Sequence, residues 1–171
     1  MFDSDLLRLA ESVLDKSRAQ GLHISTAESC TGGLVAALLT EIAGASDVFE
    51  RGFVVYSNEA KSELLGVPAD LVADHGAVSE SVARAMAEGS VKHSAAQIAV
   101  SVTGIAGPGG GTAEKPVGLV HMAAARGGRD TLHERHLFGD IGRRAIRTAS
   151  IEAALRLLLA VIQPHPPTGL R

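Results

Sequence analysis

Apolar and polar residues follow two different rhythms along the chain. Apolar side chains three or four positions apart are typical of helices that cover a core, whereas short apolar runs bounded by glycine, proline or asparagine are typical of strands. The pattern predicts helices at residues 5–20, 34–42, 58–65, 80–91 and 143–162, and strands at 22–27, 53–56, 97–102, 118–125 and 130–138. Residues 67–76 show neither rhythm and are predicted to be a connecting segment.

The order of these elements predicts an α/β fold, a three-layer α/β/α domain with a mixed sheet. Helices and strands alternate early in the chain, which favours parallel pairing. Two late strands are joined by a short turn at 126–129, which favours an antiparallel hairpin. A chain of 171 residues has the size of one domain. We therefore expect a single domain over residues 1–163, followed by a frayed proline-rich tail at 164–171.

Composition narrows the class of protein. Hydrophobic residues make up 46% of the chain but aromatic residues only 3%, so the core has to be built from aliphatic side chains. The formal charge of -3 leaves no excess of cations for a phosphate backbone, so nucleic acid is not an expected partner. No uncharged run reaches the roughly 18 residues of a membrane span, and the acidic N-terminus does not resemble a signal peptide. A lone cysteine suits a reducing compartment, and we expect a cytoplasmic protein.

The seven histidines predict no metal site. His133 and His136 are three residues apart on a predicted strand and so face opposite sides of the sheet. With a single cysteine the chain also has no zinc motif. We expect neither a metal nor another cofactor.

The first candidate for chemistry is the turn Glu28-Ser29-Cys30-Thr31-Gly32-Gly33, which joins a predicted strand to a predicted helix. Unpaired N–H groups and the positive end of the helix dipole meet at such a turn, so a nucleophile there lies beside donors for an oxyanion. Ser29 and Cys30 are both candidate nucleophiles, because a helix N-terminus also activates a thiol. A purely structural role, in which Thr31 caps the helix and the glycines turn the chain, fits the same pattern.

The second candidate is the segment Tyr56-Ser57-Asn58-Glu59-Ala60-Lys61, which contains the only tyrosine of the chain. Ser57 or Asn58 can cap the predicted helix, which puts Lys61 in its first turn, where a cation opposes the helix dipole. Burial at that position would lower the pKa of Lys61 and make it a general base for a serine, with the phenol of Tyr56 orienting the proton. A solvated lysine and an interfacial tyrosine are the structural alternative.

Two further segments are candidates for anion binding. Residues 103–111 follow a buried strand and are rich in glycine, but they lack the Lys-Ser/Thr pair of a P-loop. Arg143 and Arg147 share one face of the last helix, and with Arg144 they can bind a phosphate. If neither segment binds a ligand, residues 103–111 are a flexible connection between strands and the three arginines form a solvated basic face.

Taken together, these motifs resemble those of the CinA C-terminal domain family. The resemblance rests on Thr-Ala-Glu-Ser-Cys-Thr-Gly-Gly at 26–33, Tyr-Ser-Asn-Glu-Ala-Lys at 56–61, Gly-Ala-Val-Ser at 76–79, Val-Thr-Gly-Ile-Ala-Gly-Pro at 102–108 and a closing motif at 138–147. It spans nearly the whole chain in the family's order. It implies the three-layer fold and a metal-independent amidohydrolase that converts nicotinamide mononucleotide to nicotinic acid mononucleotide and ammonia.

The resemblance also implies roles for individual residues. Ser29 is the implied nucleophile, Lys61 its base and Tyr56 their partner. The substrate-binding residues expected from the turn, the glycine loop and the resemblance are Cys30, Thr31, Gly32, Gly33, Thr103, Gly104, Gly107 and Arg143. Ile141 and Gly142 interrupt the family's commoner spacing, which leaves the choice between Arg143 and Arg144 open.

Three alternatives remain open from the sequence. A non-catalytic module of the CinA type would bind nucleotides or proteins without turnover, and a different amide or phosphate ester of similar shape would suit the same motifs. Cys30 remains the rival nucleophile. A small active site near a surface cleft often recruits a neighbouring subunit, so we also expect a homodimer.

Overall fold

The computed structural model describes residues 2–163, in which six helices surround a five-stranded sheet. The predicted tail at 164–171 lies outside the described residues. In chain order the elements are α1 (Ser4–Ala19), β1 (Ile24–Glu28), α2 (Leu34–Thr40), β2 (Phe49–Val54), α3 (Asn58–Leu65), α4 (Ala69–His75), α5 (Glu80–Lys92), β3 (Ile98–Gly104), β4 (Leu119–Arg126), β5 (Leu132–Leu137) and α6 (Arg143–Ile162), with a short 3₁₀ turn at Ala45–Asp47.

The sheet is mixed, with strand order β2-β1-β3-β4-β5. Strands β2, β1 and β3 run parallel, and β4 and β5 continue the sheet as an antiparallel hairpin. The predicted α/β/α domain with a mixed sheet is confirmed.

Helices cover both faces of the sheet. Alternate residues of β3 point to opposite sides, as strand geometry requires. Val100 and Val102 belong to the large core built with α1, α2 and α6. Ser101 faces the other way and donates a hydrogen bond to the Ala83 carbonyl of α5 at 2.6 Å. The core consists mainly of aliphatic side chains, which agrees with the scarcity of aromatic residues.

Two predictions from the sequence were wrong. Strand β2 spans Phe49–Val54 rather than residues 53–56. It is an edge strand with half-exposed side chains, so main-chain pairing with β1 defines it instead of an apolar run. The predicted connection at 67–76 contains helix α4, which is short and buries Val72 against its neighbours. The other predicted helices and strands are confirmed, with ends within two residues of those observed.

The fold brings the candidate motifs to one edge of the sheet. The turn after β1, the segment after β2 and the glycine loop after β3 all follow the carboxyl ends of parallel strands. Open α/β sheets bind their ligands in the crevice outside these ends. The candidate site therefore lies around the end of β1, the central one of the three parallel strands.

No helix of residues 2–163 is both long and apolar enough to cross a bilayer. Over the same residues, no group of three or more His, Cys, Asp or Glu side chains is arranged to hold a metal ion. His133 lies next to Glu80 of α5, whereas His136 stacks on Phe138, so the two histidines do face opposite sides.

The close packing of α5 on α3 depends on Gly89. A Cβ at this position would lie 2.1 Å from the Leu65 carbonyl oxygen, which is main chain and cannot rotate away. We expect Gly89→Ala to lower the free energy of unfolding by about 1–3 kcal/mol despite the better helix propensity of alanine. Urea denaturation measures the change.

The matched control is Gly127→Ala, because a Cβ there meets nothing within 4 Å. This variant should differ from the parent by less than about 1 kcal/mol. Equal stability of the two variants would contradict the packing account.

Candidate active site

Ser29 and Lys61 contact each other at the carboxyl edge of the parallel strands. The Lys61 Nζ lies 3.1 Å from the Ser29 Oγ. Ser29 occupies the turn between β1 and α2, and Lys61 lies in the first turn of α3. Ser57 caps this helix, since its Oγ accepts a hydrogen bond from the Ala60 N–H at 3.0 Å. The cap and the strand order together bring the serine and the amine into contact.

The amine of Lys61 is buried among neutral groups. Its side chain is among the largest that are fully buried, with the residue only 1% exposed. Within residues 2–163 the Nζ contacts Ser29 and the main-chain carbonyls of Val55 at 2.9 Å and of Tyr56 and Ser57 at 3.3 Å each. Burial lowers the pKa of Lys61 from its ordinary value of 10.5, and nearby acidic groups offset only part of that effect. A neutral amine has a lone pair that can accept the proton of the Ser29 hydroxyl.

The N-terminus of α2 is capped by Glu28, a role that the sequence analysis missed. Its buried carboxylate accepts hydrogen bonds from the N–H groups of Gly33, Val35 and Ala36, at 3.1, 3.0 and 2.9 Å. Among residues 2–163 the buried Thr31 hydroxyl has no hydrogen-bond partner, so the interpretation of Thr31 as the cap was wrong. An acid at the end of a strand before a glycine turn was the available signal, since carboxylates favour helix N-termini.

Glu28 also limits which N–H groups can bind a substrate oxyanion. The Gly33 N–H is bound to Glu28, and the Gly32 N–H donates to the Ser29 carbonyl at 3.0 Å. The N–H groups of these two glycines are therefore already engaged and are not available to bind the substrate, contrary to expectation. Thr31 is fully buried and lines no part of the cleft described below. The Cys30 N–H remains, at the residue that follows Ser29.

A cleft of about 260 Å³ opens above the Ser29–Lys61 pair. It contains the expected residues Ser29, Cys30, Tyr56, Lys61, Thr103, Gly104, Gly107 and Arg143. It also contains residues of the candidate segments and motifs to which the sequence assigned no individual binding role, namely Asn58, Ala77, Val78, Ile105, Ala106, Gly109 and Gly110. Thr31, Gly32 and Gly33 are not among the lining residues.

Arg143 is the arginine that reaches the cleft. It donates to the Gly107 carbonyl at 3.0 Å and to the Tyr56 hydroxyl at 3.3 Å. Arg144 instead lines a separate cavity of about 620 Å³ between α1 and α6, which shares only Arg143 with the cleft. The geometry thus favours Arg143 over Arg144 as the substrate contact.

Tyr56 contacts Lys61 through its main chain rather than its phenol. Its carbonyl accepts from the Lys61 Nζ at 3.3 Å, while the ring is exposed and its hydroxyl accepts from Arg143. The phenol is therefore held at the mouth of the cleft, next to the guanidinium.

Arg147 does not line the cleft above Ser29, although it lines the cavity between α1 and α6 together with Arg143 and Arg144. Its Nε donates to the Cys30 carbonyl at 3.1 Å and its Nη2 to the Thr31 carbonyl at 3.0 Å. The guanidinium therefore braces the turn that carries Ser29. Joint binding of a phosphate by these arginines at the cleft is not supported, since only Arg143 lines it, and their joint binding in the cavity between α1 and α6 stays a prediction.

Thr103 supports the cleft instead of presenting its hydroxyl to it. The Oγ1 donates to the Ala77 carbonyl at 2.8 Å, and the residue is only 1% exposed. Its hydroxyl is thus engaged in holding the neighbouring segment, although Thr103 lines the cleft as expected.

This chain is similar to several known proteins over nearly its whole length. The family model of the CinA C-terminal domain matches residues 6–162. The nicotinamide-nucleotide amidohydrolase PncC of Escherichia coli K12 is 50% identical over 159 residues, which cover 92% of this chain and 95% of that protein. A putative competence-damage inducible protein of Caldicellulosiruptor bescii is 48% identical over 92% of this chain, which spans only 38% of that longer protein. The crystal structure of the competence/damage inducible protein CihA from Agrobacterium tumefaciens superposes with a TM-score of 0.94, at 51% identity and over 95% of this chain and 99% of that one.

The environment of Cys30 yields a test of the rival nucleophile. Burial raises the pKa of its thiol to about 12, against smaller opposing effects from its own N–H and from nearby arginines. The reactive thiolate is thus scarce at pH 8, about ten-thousandfold rarer than the thiol, because each pH unit below the pKa lowers the ratio tenfold. We expect iodoacetamide to alkylate Cys30 at least ~100-fold more slowly in the folded protein than in guanidinium chloride, as followed by intact mass.

Because Cys30 is the only cysteine, the unfolded chain is its own reference. Alkylation at similar rates in the two states would contradict the burial of the thiol and restore Cys30 as a candidate nucleophile.

Proposed function

The chain belongs to the CinA C-terminal domain family, and on that premise we propose that it hydrolyses the carboxamide of nicotinamide mononucleotide to nicotinic acid mononucleotide and ammonia. The observation that carries this proposal is the buried contact of 3.1 Å between the Ser29 Oγ and the Lys61 Nζ at the base of an open cleft. The 50% identity to a nicotinamide-nucleotide amidohydrolase over 92% of the chain supports the substrate.

In the first step, the Ser29 Oγ attacks the carboxamide carbon while neutral Lys61 takes the hydroxyl proton. The resulting ammonium has three N–H groups, and the carbonyls of Val55, Tyr56 and Ser57 stand around the Nζ to accept them. The site therefore stabilises the charge that appears on the base during the reaction. This is the arrangement that electrostatic preorganisation requires.

The tetrahedral intermediate then collapses to an acyl-enzyme. The Cys30 N–H, next to the nucleophile, is the donor proposed for the oxyanion. Lys61 returns its proton to the leaving nitrogen, the C–N bond breaks and ammonia departs. Water, deprotonated by Lys61, attacks the Ser29 ester, and the serine leaves with that proton as the carboxylic acid forms. The acid then loses its own proton to water and departs as the carboxylate. Every proton is carried by groups of this chain or by water, so the reaction as written needs no cofactor.

Arg143 is proposed to bind the phosphate of the substrate. A guanidinium has five N–H donors, and the contacts with Gly107 and Tyr56 engage only part of this set. Tyr56 then serves as a partner of both groups, since its carbonyl contacts Lys61 and its phenol contacts Arg143.

The expected homodimer and the cytoplasmic location stay predictions.

The serine mechanism predicts the effect of removing either reacting group. Ammonia release from nicotinamide mononucleotide should fall by at least ~10²–10⁴-fold in Ser29→Ala and in Lys61→Met, because each removes one half of the proton transfer. The exposed positions Ser4 and Lys92 offer matched controls, and Ser4→Ala and Lys92→Met should keep the parental rate. Full activity of Ser29→Ala would contradict the mechanism. Tight binding by the parent chain without product would favour a non-catalytic module.

The lowered pKa of Lys61 predicts the shape of the pH profile. The base must be neutral, so kcat/KM should rise with pH through the Lys61 pKa and level off above it. Because burial lowers that pKa, the rising limb lies below 10.5. A rate that increases only above pH 10.5, or one that decreases as pH rises through neutrality, would exclude Lys61 as the base.

A further inference from the structure

Side chains hold the carbonyl oxygens of one wall of the cleft. Residues 75–78, here named the wall segment, run from the last residue of α4 toward α5 and line the cleft through Ala77 and Val78. Within residues 2–163, no main-chain N–H donates to any of its four carbonyl oxygens. Side chains do so instead: the Ser79 Oγ donates to the Gly76 carbonyl at 2.9 Å and the Thr103 Oγ1 to the Ala77 carbonyl at 2.8 Å.

Lys115 holds the other two carbonyls of the wall segment. Its Nζ donates to the His75 carbonyl at 2.5 Å and to the Val78 carbonyl at 2.8 Å. Hydrogen bonds from a charged donor are roughly twice as strong as neutral ones. A single ammonium therefore fixes both ends of the wall segment.

Lys115 is itself anchored in the glycine-rich connection between β3 and β4, which forms another part of the cleft lining. Its N–H donates to the Thr112 Oγ1 at 3.0 Å, and the Thr112 N–H donates to the Lys115 carbonyl at 2.8 Å. These two hydrogen bonds fix the backbone of Lys115, so its ammonium group ties the wall segment to the glycine-rich connection.

Gly76 makes room for the ammonium. A Cβ at this residue would lie 2.8 Å from the Lys115 Nζ, and its φ of +75° also favours glycine. The packing at Gly76 and the two hydrogen bonds are independent signs that Lys115 occupies a fitted position in the wall.

We propose that Lys115 is a positioning residue for the amidohydrolase reaction. It holds the wall segment at a fixed distance from the glycine-rich connection, and the substrate binds in the cleft between the two. The inference rests on the proposed function, since it assigns a role within the same cleft. Lys115 acts through Ala77 and Val78 and does not itself line the cleft. Its loss widens the site without touching Ser29 or Lys61, so it weakens substrate binding more than the chemical step.

The test compares Lys115→Met, which keeps most of the apolar stem but removes the donors, with Lys115→Arg, which keeps them. For nicotinamide mononucleotide, we expect KM to rise ~10-fold or more in Lys115→Met with kcat within about threefold of the parent, because only positioning is lost. Lys115→Arg should recover most of the KM. Lys92→Met, a change of an exposed lysine in the last turn of α5, is the matched control and should have the parental KM.

A second measurement is independent of turnover. Backbone ¹⁵N order parameters of residues 76–79 should drop from values typical of rigid backbone, about 0.85, toward about 0.6 in Lys115→Met. They should stay unchanged in Lys92→Met. If the parent chain releases no ammonia, the proposed function fails while the order parameters still test the clamp.

Three outcomes would overturn the role of Lys115. An unchanged KM in Lys115→Met would refute positioning of the substrate, and unchanged order parameters would refute the clamp. A loss of kcat at constant KM would show that the lysine acts on the chemical step instead.

Discussion

The burial of the Lys61 amine beside Ser29 is the interaction on which the rest of the site depends. An amine removed from water without a carboxylate partner favours its neutral form, and that form is the one that can accept a proton. The surrounding groups are main-chain carbonyls, which are dipoles of fixed direction. They lower the energy of the ammonium when it forms but carry no net charge that would keep it protonated beforehand. A surface lysine at the same distance from a serine would remain protonated and could not act as a base.

The fold supplies the geometry that this burial requires. Strand β1 lies between β2 and β3, so the turn that carries Ser29 is flanked by the segment that carries Lys61 and by the glycine loop. Glu28 fixes the start of α2 with three hydrogen bonds, and Arg147 holds two carbonyls of the same turn from the opposite side. The turn that carries the nucleophile is thus held by the carboxylate of Glu28 and by the guanidinium of Arg147.

The sequence predicted those features that depend on local pattern. Helix α6 was predicted with its observed ends because apolar residues repeat along its whole length, and the cap at Ser57, one of two candidates, follows from residue chemistry. Ser29 and Lys61 were predictable as candidates because each lies in a short polar segment directly before a predicted helix. Their contact depends on the strand order, which periodicity did not predict, whereas the family resemblance implied the pair as nucleophile and base.

Features that depend on distant main-chain groups were missed. Strand β2 is defined by pairing at an exposed edge, and α4 is too short to show a helical period. The partners of Arg147 are carbonyls more than 100 residues earlier in the chain, and those of Lys115 are carbonyls 37 and 40 residues away. No property of an arginine or lysine side chain in the sequence indicates which carbonyls it will meet.

The ionisation of Lys61 is the most direct test of this account. The chain has four lysines, so ¹³Cε labelling gives four signals, and Lys61→Met identifies the one of interest. NMR titration of the folded protein should show Lys61 losing its proton at a lower pH than the lysine reference of 10.5. Titration of Lys61 at or above 10.5 would contradict a neutral base and, with it, the proposed activation of Ser29.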